Sequence, residues 1–152
     1  MKFEYNDGGR KKAGYKGIAG DCIVRAISIA TEIPYQEVYD ELFEMGKNWI
    51  GRSKSAKKIR KNPSPRNGTS WKLAREYLKN KGWIRVTGNL KLDDEKFKNG
   101  TYLCGVRKHL TVVKDGVLLD SWDSQMTSGH FAPKTIKTVF SHYVREGGEK
   151  NG

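Results

Sequence analysis

Between Asp21 and Ile33, apolar residues fall at Ile23, Ala26, Ile27 and Ala30, the i, i+3, i+4, i+7 spacing that lines one face of an α-helix. Asp21 is of the residue type that caps a helix start, which puts Cys22 at about the first helical position. The helix should stop near Ile33, because the residue before Pro34 is pushed out of the α region. Pro34 suits the first position of a second helix, whose Tyr35, Val38, Tyr39, Leu42 and Phe43 form one apolar stripe before Gly46. A third helical pattern opens on a Thr69 or Ser70 cap and runs to Gly82, with Trp71, Leu73, Ala74, Tyr77 and Leu78 on its buried side.

After Gly82 the period changes. "WIRV" at 83–86, "TYLCGV" at 101–106, "HLTVV" at 109–113 and "VLLDSW" at 117–122 are short β-type runs, and "TIKTVFSHYV" at 135–144 reads as the last strand. Asp115-Gly116, between two of these runs, is a strong hairpin signal. Helices first and strands second predict an α+β domain, N-terminal helices packed on a C-terminal antiparallel sheet. One domain over 1–146 accounts for the chain, with 147–152 as a disordered tail.

The segment 47–67, "KNWIGRSKSAKKIRKNPSPRN", interrupts this order. It holds eight Lys or Arg and no Asp or Glu, and with two prolines and scattered Ser and Gly it reads as a long, mobile basic loop. Trp49, Ile50 and Ile59 are too few to make it a core element. It also concentrates part of a formal net charge of +12 over 152 residues, an excess that favours nucleic acid, an anionic surface or an acidic protein partner. Lys54, Lys57, Lys58, Arg60 and Lys61 are the natural contact patch. No zinc-ligand set, helix-turn-helix signature or RNP-type aromatic motif accompanies it, so readout of specific bases is not supported.

The N-terminus lacks the apolar core of a signal peptide, and no run approaches the ~18 apolar residues of a membrane span. The chain therefore reads as cytoplasmic, without membrane association. Its two cysteines, Cys22 and Cys104, cannot form a tetrahedral zinc site alone and stay reduced in such a compartment. Neither a metal nor a cofactor is expected. Cys104 lies in a β-type run and reads as core; His130 and His142 have no evident partners and read as surface or structural.

Cys22 differs from Cys104 in its surroundings. A nucleophilic cysteine needs a lowered thiol pKa, a base within reach and a third group to hold that base. The head of a helix favours the thiolate, although Asp21 opposes it unless its carboxylate is occupied. If Asp115-Gly116 is a two-residue turn, paired positions sum to 231. Thr111 then faces Asp120 and His109 faces Trp122, so that His109 and Asp120 are diagonal neighbours on one face. A three-residue turn would make Asp123 the partner instead. The ordinary alternatives are a small buried thiol at Cys22, a passive strand histidine at His109 and a turn-closing Asp120.

A Cys opening the first long helix, followed by a hairpin carrying "HLTVV" and, across the turn, "VLLD", resembles the papain-like cysteine hydrolase superfamily, which includes transglutaminases and NlpC-like peptidases. "NDGGR", "AGDCIVRAISIAT", "SPRNG" and "HLTVVKDGVLLDSWDS" are similar to a group of small proteins of bacteriophages and bacteria, for which the compartment would be the host cytoplasm. The resemblance implies a papain-like fold with Cys22 as nucleophile, His109 as base and Asp120 as orienting acid. It does not imply a substrate; the expected chemistry is hydrolysis or acyl transfer at an amide, isopeptide or ester bond, and a protein or peptide is the expected substrate. Papain-like enzymes usually carry a Gln before the nucleophile as an oxyanion donor. Here Lys16 stands six residues before Cys22, and Asn6 is the only upstream side-chain amide, so these two are the oxyanion candidates. The competing function is an inactive scaffold of this kind that binds nucleic acid or an acidic host protein through the basic loop.

Overall fold

In a computed structural model of the chain, residues 1–17, 20–127 and 133–147 are described. The helices are α1 (Cys22–Thr31), α2 (Tyr35–Lys47), α3 (Lys54–Lys61) and α4 (Trp71–Asn80). The strands are β1 (Lys2–Tyr5), β2 (Trp83–Lys91), β3 (Thr101–Val106), β4 (His109–Lys114), β5 (Val117–Asp120) and β6 (Thr138–Arg145). Short 3₁₀ turns occupy Pro65–Asn67 and Glu95–Lys98. The fold is α+β.

The six strands form one sheet in the order β1-β5-β4-β3-β6-β2. β1 runs parallel to β5, with Tyr5 beside Asp120, whereas the β2–β6, β6–β3, β3–β4 and β4–β5 pairs are antiparallel. The sheet is therefore mixed, not antiparallel as the sequence predicts. The difference is β1, whose four residues "KFEY" give too short an alternation to register as a strand. An added edge strand needs only a neighbour's unpaired backbone groups.

Side-chain alternation along the strands divides the interior into two cores. Leu103, Leu110 and Val112 face the helices and pack with Ile23, Val24, Ile27, Val38, Leu42 and Leu78. Tyr102, Cys104 and Val113 face the other way and pack with Leu92, Phe97, Leu118 and Val139. Burying each of the larger aliphatic side chains contributes about 1.5–3 kcal/mol, and α1 rests directly on β4 in this arrangement. Cys104 is fully buried in the second core, where desolvation pushes its thiol pKa up. His142 is buried in the same core beside the rings of Phe97 and Tyr102, 5.4 and 6.1 Å away between centroids.

The basic segment contains a helix rather than a continuous loop. Ser53 Oγ accepts the Ala56 N–H at 3.1 Å, capping α3, and Ala56 and Ile59 are buried one turn apart. Two small apolar contacts and a cap suffice because α2 provides a surface for them. The Arg60 guanidinium donates to the Trp49 carbonyl at 2.7 Å and fastens the helix to the preceding turn.

Two smaller differences occur at helix starts. Pro34 sits at the N-cap of α2, one residue before the expected position. Trp71, the first residue of α4, is 39% exposed instead of lying on the buried side. The Ser70 cap is as expected, its Oγ accepting the Lys72 N–H. Among the described residues no helix is long and apolar enough to cross a membrane.

Candidate functional site

Cys22 is the first residue of α1, and no side chain caps that helix start, so amide hydrogens there remain available to a neighbouring negative charge. Asp21 occupies the N-cap position as expected, but its side chain does not cap the helix. Its fully buried carboxylate pairs with Arg10 Nε at 2.9 Å, with an Arg25 guanidinium nitrogen and with the Tyr35 hydroxyl at 2.5 Å. The charge that would oppose a thiolate at Cys22 is thus matched by two guanidiniums. Burial and the bond to Asp21 together push the Tyr35 phenol pKa up.

The β4–β5 hairpin supplies the other two groups. Asp115 and Gly116 have φ of 50° and 78°, the left-handed pair of a two-residue type I′ turn. Lys114 pairs with Val117, Val113 with Leu118 and Val112 with Leu119, so paired numbers sum to 231. Continuing that register puts Thr111 across from Asp120 with His109 on the same face. His109 Nε2 lies 2.7 Å from Asp120 Oδ2. Asp123 is exposed, and its Oδ1 accepts from the Gln125 side-chain amide at 2.9 Å. The two-residue turn thus makes Asp120, not Asp123, the neighbour of His109.

Asp120 is held on several sides. Oδ2 also accepts from Thr111 Oγ1 at 2.7 Å and Ser124 Oγ at 2.9 Å, while Oδ1 accepts the Ser121 N–H at 2.7 Å. Its backbone carbonyl accepts the Asn6 N–H at 2.8 Å, where β1 joins β5. Burial would raise the Asp120 carboxyl pKa, but the bond to His109, the charge of that ring and the Thr111 and Ser124 hydroxyls together lower it.

The Cys22 sulfur meets the His109 ring and the Leu110 backbone amide. Because Nε2 faces Asp120, Nδ1 is the ring nitrogen left for the thiol. Burial alone would raise the Cys22 pKa; the hydrogen bonds from His109 and Leu110 and the positive charges of His109 and Arg25 outweigh it, and the thiol lies below its ordinary value. For His109 burial acts downward, yet bonds to Asp120 and Cys22 and their negative charges raise it to about 9. Both shifts favour the same state, a thiolate beside an imidazolium.

Trp122, 48% exposed, folds back over the imidazole with 5.2 Å between ring centroids, and Lys137 Nζ sits 4.8 Å from the indole centroid. On the opposite flank, a Cβ built on Gly20 would lie 3.7 Å from Gly68 N, so the "SPRNG" turn rests against the chain just ahead of Cys22.

The oxyanion candidates are not brought to the thiol by any hydrogen bond among the described residues. Asn6 Oδ1 accepts the Gly8 N–H at 2.8 Å. Lys16 is exposed, and its carbonyl accepts from Arg10 and Arg66. In the basic segment Lys54, Lys57, Lys58 and Lys61 are exposed on α3, whereas Arg60 is half-buried and donates to the Trp49 carbonyl. His130 lies outside the described residues. Among those described, no three His, Cys, Asp or Glu side chains are grouped to hold a metal.

Sequence reasoning missed Arg25, Leu110, Thr111, Ser124 and Trp122. Of these, Thr111 and Trp122 were within reach of the hairpin arithmetic, which placed them opposite Asp120 and His109; Arg25, Leu110 and Ser124 lie close in sequence to Cys22, His109 and Asp120, but no motif marks them. No protein-family model, curated protein or solved structure matches the chain.

Proposed function

We propose that the protein is a cysteine-dependent hydrolase or acyltransferase of papain-like layout, acting on an amide, isopeptide or ester bond of a protein or peptide. The observation that carries the reading is His109, placed between the Cys22 thiol and Asp120. The Cys22 thiolate attacks the acyl carbon, forming a C–S bond as the carbonyl π electrons move to oxygen. Amide hydrogens at the start of α1, which no side chain caps, serve as donors for that oxyanion. When the tetrahedral intermediate collapses, His109 gives its proton to the leaving nitrogen or oxygen. His109 then takes a proton from water, or from an acceptor amine or alcohol, which attacks the thioester and releases the acyl group and the thiolate. Asp120 holds the ring and balances its charge throughout.

Chloroacetamide labelling at neutral pH tests this directly. Wild-type protein should be alkylated at Cys22 well above the rate of a simple thiol, and Cys22→Ala should abolish the adduct. A Cys22 that reacts no faster than an unperturbed thiol of pKa ~8.5 would overturn the assignment.

A second reading is favoured by α3, where four lysines project from a helix seated through Ala56 and Ile59. An ordered lysine face fits an acidic protein or a nucleic-acid backbone. Binding there should fall log-linearly with salt, and retention of tight binding after neutralising Lys54, Lys57, Lys58 and Lys61 would exclude the face.

A further inference from the structure

A groove of about 330 Å³ is lined by near neighbours in sequence of Cys22 and Asp120, although neither of these residues nor His109 lines it. One wall includes Arg25, three residues beyond Cys22 on α1, and another includes Ser121, the residue after Asp120. The groove therefore begins where the nucleophile's helix and the acid's strand come together. Arg10, Lys11 and Lys16 complete a cationic lining, with Tyr5 at the rim.

The balance of charge is positive after local pairing is counted. Asp21, fully buried, pairs with Arg10 and Arg25 and offsets one of their two positive charges. Asp7 is the single carboxylate among the lining residues, and its oxygens accept the Gly9 N–H at 2.9 Å and the Lys11 N–H at 3.0 Å. Lys11 and Lys16 are exposed and carry no carboxylate partner among the described ion pairs. A low-dielectric recess lined by cations concentrates field on an entering anion.

We infer that this groove is a substrate subsite for a carboxylate side chain, so that the bond attacked by Cys22 lies next to an acidic residue of a peptide. The inference rests on the hydrolase reading and deepens it. The groove wall is anchored by the Asp21 ion pairs, which keep Arg10 and Arg25 in place whether or not substrate is present; Lys11 and Lys16 supply the adaptable charges.

Two iodoacetyl probes that differ by one charge test it: N-iodoacetyl-glutamic acid α-amide and N-iodoacetyl-glutamine α-amide. Both alkylate Cys22 by the same displacement, in which the C–S bond forms as iodide leaves. The acidic probe should react about fivefold faster at low ionic strength, and the ratio should fall toward one in the Lys11→Gln/Lys16→Gln protein and in high salt. Equal rates for the two probes, or a preference untouched by the double substitution, would overturn the subsite. A second arm removes the chemistry: N-acetyl-glutamic acid α-amide, followed by NMR on the Cys22→Ala protein, should shift the Lys11, Lys16 and Arg25 amides, and the glutamine analogue should not. If both iodoacetyl probes react only at the rate of a simple thiol, the hydrolase reading fails, and the binding arm alone decides the groove.

Discussion

His109 Nε2 and Asp120 Oδ2 lie 2.7 Å apart across the β4–β5 hairpin, and the same carboxylate accepts from Thr111, Ser124 and the Ser121 amide. Asp120 is thereby held rigidly enough to fix which ring nitrogen faces Cys22. Replacing Asp120 with Asn keeps the shape and removes the charge. The His109 pKa should then fall from about 9 toward its ordinary 6.5, the Cys22 pKa should rise, and alkylation at neutral pH should slow, by at most about tenfold for each unit of that rise. Histidine titration by NMR and the pH profile of iodoacetamide labelling measure both sides. An unchanged labelling profile would show that Asp120 does not sustain the ion pair.

The same pair leaves a trace in stability. Asp120, lowered in the fold, contributes stability above its unfolded pKa that is lost as acid protonates it. His109, raised from 6.5 to about 9, contributes stability fully present below pH 6.5 and lost as pH rises through its folded value. Cys22, lowered from 9.0, acts with the opposite sign, its contribution being lost as pH falls through its folded value. Between the two unfolded values the imidazolium holds a proton that the thiolate lacks, so the two slopes cancel. Cys22→Ala should unmask the histidine: its urea midpoint should drop between pH 6 and 9 more than that of wild type. Parallel midpoints across that range would contradict a thiolate–imidazolium pair.

Asp21 separates two roles by magnitude. As a helix cap, its replacement by Ala would cost about 1 kcal/mol. As the buried acceptor for Arg10, Arg25 and Tyr35, its loss leaves two guanidiniums uncompensated and should cost about 3–5 kcal/mol. Urea denaturation of Asp21→Ala at pH 7 distinguishes them, and a loss near 1 kcal/mol would remove the network as a source of stability.

Asp21 also marks where sequence reading succeeds and where it stops. The hairpin was legible because Asp115-Gly116 determines its own dihedrals, and pairing arithmetic then carries to His109 and Asp120 with no further information. The start of α1 was legible from its apolar spacing. Arg25 stands four residues beyond Asp21, at helical spacing, but Arg10 was not legible as a partner, since it comes from a segment without period and only the folded path of 6–17 brings it near. β1 is too short to show alternation, so the parallel edge of the sheet went unseen. α3 was obscured by composition: its Lys-rich surface hid a seat made by only Ala56 and Ile59.

Gly8 connects that aperiodic N-terminal segment to the candidate site. Its φ is +70°, and a Cβ there would stand 2.8 Å from the Arg25 carbonyl oxygen and 3.1 Å from Arg25 Cα. The obstacle is helix backbone, which cannot rotate away, and Ser28 Oγ also donates to the Gly8 carbonyl at 2.9 Å. Gly82 provides the control, with φ of +87° and nothing within 4 Å of its Cβ position. Gly82→Ala should cost only the backbone strain of a left-handed residue, about 1–2 kcal/mol. Gly8→Ala carries that strain plus the clash, and relieving it must move either the "NDGGR" turn or α1. The expected result is a larger loss of stability at Gly8 than at Gly82, together with slower iodoacetamide labelling of Cys22 in the folded Gly8→Ala protein, because a displaced α1 carries Cys22 away from His109. Equal costs for the two substitutions, with Cys22 labelling unchanged in both, would show that the close approach at Gly8 does not position the thiol.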